Sequence, residues 1–278
     1  MAPPSPYDDP VPRGWKFVQG TLRVAVCMQC AGLAMLHLWA GEDSAAAGLL
    51  RTLWETDESA AGAYSTFAGY GLAIAALFTL LRPSWPVLIA AVLWFGAEAA
   101  APMVEDGHVL DLLVQVLPVA MPLVLLLVDF WPPALSFSIG RTQIALGILR
   151  IALVIAVAAG GVAKLVAIVD GGTWTELLSE AATSLGLTVT DGQINQALAV
   201  MLAADIGLAW SVLTSRNRAS LGLLAGWLVA LAAVWIAAQG SEGYAAFLLH
   251  ASSAGAPLAI LLFWFCAVKE QPPVIVPG

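Results

Sequence analysis

The stretch Leu149 to Leu165, LRIALVIAVAAGGVAKL, constrains the fold more than any other, being apolar throughout with one cation near each end, Arg150 and Lys164. About 20 apolar residues cross the hydrocarbon core of a bilayer. The wider segment Thr142 to Ile168 exceeds that length and is read as a membrane-spanning helix. A charge inside a bilayer costs at least ~2.5 kcal/mol even on the lenient insertion scale. Two retained cations therefore demand partners, or an interface to which they can extend.

The rest of the chain supports a membrane setting. Of its 278 residues 60% are hydrophobic and 11% charged, against about 25% charged in a soluble domain. The net charge of −8 and the lack of a Lys/Arg cluster exclude a nucleic-acid footprint and a polybasic lipid surface. Cys27, Cys30 and Cys266 all fall in apolar segments, so no disulfide framework is written here.

Apolar runs at Thr21 to Ala40, Tyr64 to Leu81, Pro86 to Met103, Val109 to Val128, Thr142 to Ile168, Gln196 to Leu213, Ala219 to Ala238 and Tyr244 to Val268 predict an all-α integral membrane protein with eight transmembrane helices. Met1 to Gln19, Pro-rich and polar, reads as a disordered tail ahead of an uncleaved first span. Loop charges alternate along the chain: Arg13/Lys16, Glu42 to Glu58, Arg82, Glu105/Asp106, Arg141, Asp170 to Asp191, Arg216/Arg218, Glu242, Lys269. With Lys and Arg on the cytoplasmic side, both termini lie inside and the acidic loops face outward. Two of those loops carry helical patterns, AGLLRTLWETDES with Trp54 and TWTELLSEAATSLGL with Trp174. These predict short interfacial helices, acting as a lid or as a docking platform.

The chain also repeats itself. LRVAVCMQCAGLAMLHL from Leu22 aligns with LRIALVIAVAAGGVAKL from Leu149 at an offset of 149 − 22 = 127, matching Arg23 to Arg150 and His37 to Lys164. LLLV after Pro122 aligns with ILLF after Pro257 at an offset of 257 − 122 = 135. The layout is then a tail at 1–19, a four-span repeat at 20–131, a linker at 132–141, a second repeat at 142–268 and a tail at 269–278. Four spans is an even number, so the repeats share one orientation and should enclose a pocket between them.

Asp205, in mid-span, needs a cation, and Arg150 stands as many residues from its helix end, which predicts a structural ion pair. Toward the outer boundary lie His37, Glu98, His108, Asp111, Lys164 and His250. A lysine shielded from water can serve as a base, and histidines and carboxylates can relay its proton. Each of these side chains could instead extend to the headgroups or cap a helix. No H-x-x-x-H pair puts two histidines on one helix face, so no metal site is read. Cys27 and Cys30 form a C-x-x-C deep in the first span, which reads as packing rather than redox chemistry.

With Arg150, Gly161, Lys164, Leu165, Asp205, Gly207, Leu208, Leu213, Thr214 and Arg216, the second half resembles the DoxX family of four-span membrane proteins. The doubled layout is also similar to the horizontally transferred transmembrane domain of vitamin K-dependent γ-carboxylase. There, a histidine opening span four and a lysine closing span five belong to the reaction centre; His108 and Lys164 occupy those places here. Both resemblances imply quinones, since DoxX-type subunits occur in a thiosulfate:quinone oxidoreductase and the carboxylase uses a reduced quinone. The resulting expectation is a quinone-linked subunit of a redox complex in the bacterial cytoplasmic membrane. Lys164 would be its base and His108 the base's partner, with Glu98, Asp111, His37 and His250 around them. The alternatives are a membrane scaffold docking an outer-side protein, and a small-solute carrier.

Overall fold

The computed structural model describes residues 10–41, 44–54, 58–132, 135, 138–214 and 217–268. Helix α1 (Pro10–Met35) runs into a π turn (Leu36–Ala40), followed by α2 (Ala45–Trp54), α3 (Glu58–Leu81) and α4 (Trp85–Asp106). The chain continues through α5 (Val109–Val114), α6 (Val116–Val128), α7 (Ile139–Asp170) and α8 (Thr173–Ser184). It ends with α9 (Asp191–Thr214), α10 (Arg218–Gln239), α11 (Gly243–Ala251), a 3-10 turn (Ser252–Ala254) and α12 (Gly255–Val268). Among the described residues there is no strand, only an isolated bridge between Ser84 and Trp131.

Eight of these helical runs are long and apolar enough to cross a membrane. Their outer faces carry large apolar side chains in the open, among them Phe67 (75% exposed), Leu93 (68%) and Val200 (68%). Apolar exposure on that scale is untenable in water and is what lipid requires. The chain is an integral membrane protein.

Several boundaries differ from the sequence reading, α3 and α9 starting at Glu58 and Asp191 rather than at Tyr64 and Gln196. The first helix begins at Pro10, inside the expected tail, because proline at a helix start gives up an N–H that has no partner there anyway. Val18 and Leu22 then bury completely against the bundle. The expected linker at 132–141 falls three residues earlier, between the end of α6 at Val128 and the start of α7 at Ile139. Glu42, Arg216, Lys269 and the tails at 1–9 and 269–278 lie outside the described residues, as do the side chains of Arg13, Trp54, Glu105, Asp106 and Cys266.

Helix α1 packs on α3, α11 and α12, while α7 packs on α6 and α9, and α10 lies against α8 and α11. Leu22, Val26, Leu117, Met121, Leu149 and Leu153 belong to the one large core these helices share. Two spans are interrupted, each by a proline. Pro118 has no N–H to give the Val114 carbonyl four residues back, and the fourth span breaks at Gln115. Pro257 likewise deprives Ser253, and the eighth span passes through its 3-10 turn there. Irregular backbone at membrane depth is tolerated only where it is buried in protein or lines a cavity.

Candidate functional site

Among the described residues Lys164 is the largest fully buried side chain. Its Nζ donates to Asp205 Oδ2 at 2.6 Å and to the Gly160 carbonyl at 3.3 Å. The ring of Trp174, on α8, lies 4.4 Å from the ammonium. Asp205 accepts a second bond, from Trp227 Nε1 to Oδ1 at 2.7 Å. Both carboxylate oxygens are thus satisfied. That is the condition under which a buried ion pair is tolerated, because its desolvation must be offset by good geometry and further hydrogen bonds. Gly161 lets the two helices approach: a Cβ there would sit 3.3 Å from Asp205 Cβ and 3.3 Å from Ile206 Cδ1.

The expected pairing of Arg150 with Asp205 is corrected by this geometry. Arg150 instead donates to the carbonyls of Val212, at 2.6 Å from its NH2, and Leu213, at 3.0 Å, at the C-terminal end of α9. A cation is favourable at that end of a helix. One cause accounts for both partners. Side chains on an α-helix lean toward its N-terminus, and these contacts show α9 running antiparallel to α7. Arg150 therefore reaches toward the end of α9, whereas Lys164 and Asp205 lean toward each other. Lys164 stands 170 − 164 = 6 residues from the end of α7, about 9 Å of helix, yet its ammonium reaches back to the level of Gly160 rather than out to the headgroups.

Lys164 and Asp205 face a cavity of about 130 Å³. Trp174 and Trp235 contribute aromatic walls, and Ala156, Val157 and Gly160 form the side supplied by α7. Both proline-broken spans reach it, through Val114 and Gln115 on one side and His250 and Ser253 on the other. The His250 ring is stacked on Trp235, with centroids 5.2 Å apart and planes within 11°. Chemically, the space offers a donor held by a carboxylate, flat aromatic surfaces, an imidazole and backbone carbonyls that lack their helical donors.

No family model, curated protein or solved structure matches the chain.

The six groups expected near the outer boundary do not converge. His250 shares the cavity with Lys164. His108, expected to partner Lys164, is instead 65% exposed by side chain at the start of α5, with Nδ1 3.5 Å from Asp111 Oδ2. Its helix turns Val114 and Gln115 to the cavity, more than a turn further along, and leaves His108 and Asp111 outside. His37 is buried in the π turn with Nε2 3.7 Å from Glu98. Glu98 itself accepts from the Ser44 hydroxyl and, at 3.1 Å, from the Ala45 N–H at the start of α2.

Trp227, Trp235 and Gln115 were not singled out in the sequence, nor was Asp129, which pairs with Arg23 at 2.5 Å. Gln29, wholly buried, donates to the Pro118 carbonyl at 2.7 Å. A signal existed for the last of these: Pro122 removes the N–H that the Pro118 carbonyl would use, so a neighbouring helix must supply one. Among the described residues no group of three His, Cys, Asp or Glu side chains could hold a metal ion, and Cys27 and Cys30 are free thiols.

Proposed function

We propose that this protein is a DoxX-like, quinone-linked subunit of the bacterial cytoplasmic membrane, binding a single quinone-type ring in the cavity beside Lys164 and Asp205. One observation carries the reading: a buried, carboxylate-held ammonium faces a space bounded by tryptophan rings and by two proline-broken spans. A dry cavity of ~150 Å³ accepts one benzene ring, and this one is of that class at about 130 Å³. Discontinuous spans of this kind typically mark ligand sites in membrane proteins.

Lys164 donates to the ring oxygen, and Asp205, held by Trp227, keeps the ammonium aimed at it. His250 takes the role first assigned to His108, as the titratable neighbour across the cavity. The paired layout fits this reading. α1 packs on α3 and α12 much as α7 packs on α9 and α6, as expected of two four-span halves related by an axis along the membrane normal, with both termini cytoplasmic and α2 and α8 on the outer side. α8 then acts as a lid, its Trp174 turned onto Lys164, which weighs against the docking-platform reading.

Solvent extraction of protein purified in mild detergent should yield bound quinone, and Lys164→Met should lose it. Absence of quinone from the preparation, together with no thermal shift on adding a short-chain quinone, would overturn the reading.

A further inference from the structure

Three carbonyls in the two broken spans lose their helical donor to a proline: Val114 to Pro118, Pro118 to Pro122 and Ser253 to Pro257. A backbone carbonyl withdrawn from water needs a partner. The protein supplies one for Pro118, the amide of Gln29. Ser253 shares the Gly255 N–H with Ser252, and both Ser253 and Val114 line the cavity.

The repeat explains why Ser253 is left without an equivalent side chain. At the offset of 127, Gln29 corresponds to residue 29 + 127 = 156, and at 135 Pro118 corresponds to 118 + 135 = 253. Residue 156 is Ala156, which lines the cavity together with Ser253. In the first half, a glutamine fills the space between the two helices and bonds the proline-freed carbonyl. In the second, an alanine leaves that space open.

We infer that the ligand takes the place of the missing amide: the cavity selects a ring bearing a hydroxyl, whose proton goes to the Ser253 or the Val114 carbonyl while its oxygen accepts from Lys164. Ala156 is the specificity-determining residue, because its small side chain keeps the cavity open and leaves the Ser253 carbonyl with no side-chain donor, only its share of the Gly255 N–H. The inference rests on the ring-binding reading above. For a quinone-type ring it implies that the hydroxyl-bearing form is held more tightly than the form that offers only acceptors.

The test uses the full-length protein in nanodiscs, with phenol and anisole as probes of nearly equal size, only the first of which carries a donor. Quenching of tryptophan fluorescence reports occupancy, since Trp174 and Trp235 line the cavity. Phenol should bind the unmodified protein at least tenfold more tightly than anisole, and Ala156→Gln should abolish phenol binding without lowering the melting temperature. Equal binding of the two probes would leave the ring site standing and overturn the donor requirement. Undiminished phenol binding by Ala156→Gln would overturn the role of Ala156. Binding of neither probe would overturn both this inference and the ring-binding reading. Should Ala156→Gln fail to fold, the phenol-to-anisole ratio of the unmodified protein decides the donor requirement alone.

Discussion

The two halves bury their charges in different ways. In the second, Asp205 is given wholly to side chains, Lys164 and Trp227, and the pair faces a cavity. In the first, His37 stands where the sequence alignment at an offset of 127 would put Lys164, but its acid, Glu98, comes from α4 and is tied to the N-terminus of α2 by Ser44 and Ala45. The arginines diverge as well: Arg23 meets a carboxylate, Asp129, while Arg150 meets the bare carbonyls ending α9. The Glu98 oxygens are engaged by the start of α2. A carboxylate held by a lysine beside open space orients a donor toward that space. His37 also borders a cavity, beside Thr66 and Tyr70, so what separates the halves is the partner of the acid: a helix end for Glu98, a lysine for Asp205.

The largest expected effect comes from removing the acid of the second half. Asp205→Ala leaves Lys164 as an uncompensated buried cation and should cost ~3–5 kcal/mol, read as a large fall in melting temperature in detergent. A small fall would mean the pair is not desolvated as described. Gly161→Leu should come next, at ~1–3 kcal/mol from overpacking, since the added side chain meets Asp205 and Ile206; ring-probe binding should fall with it. In the first half, Glu98→Gln should cost about 1 kcal/mol, as loss of a helix-terminus partner does. Its readout is local: faster amide exchange in α2 with no change in probe binding at the Lys164 cavity. Last, His108→Ala should stay within ~0.5 kcal/mol, as exposed substitutions do, and leave probe binding intact. Loss of binding there would restore His108 to the site and erase the distinction drawn between it and His250.

Much of the architecture was legible because lipid imposes a blunt rule, about 20 apolar residues per crossing, and all eight spans obey it. The site was only half legible. Lys164 and Asp205 were recognisable as charges that needed partners, but counting residues along helices ranks Cα depth, not the depth of the charged group. A lysine and an aspartate that lean toward each other on antiparallel helices span a gap that such a count does not see. Assigning Arg150 to Asp205 was that error. His108 failed for a related reason: the fourth span is broken at Gln115, and the segment before the break turns other residues to the cavity. Trp227 gave no sign in sequence, because tryptophan in a span is ordinary and only its position opposite Asp205 Oδ1 gives it a role.

The central claim, that Asp205 belongs to Lys164, is tested most directly by two double-mutant cycles in thermal unfolding that share one substitution, Asp205→Leu. Combined with Lys164→Met, the double variant should be more stable than the sum of the single effects by at least ~2 kcal/mol, as for contacting buried charges. Combined with Arg150→Met, the effects should add within ~0.5 kcal/mol, as for groups without a shared contact. Coupling of Asp205 to Arg150 and additivity with Lys164 would contradict the account.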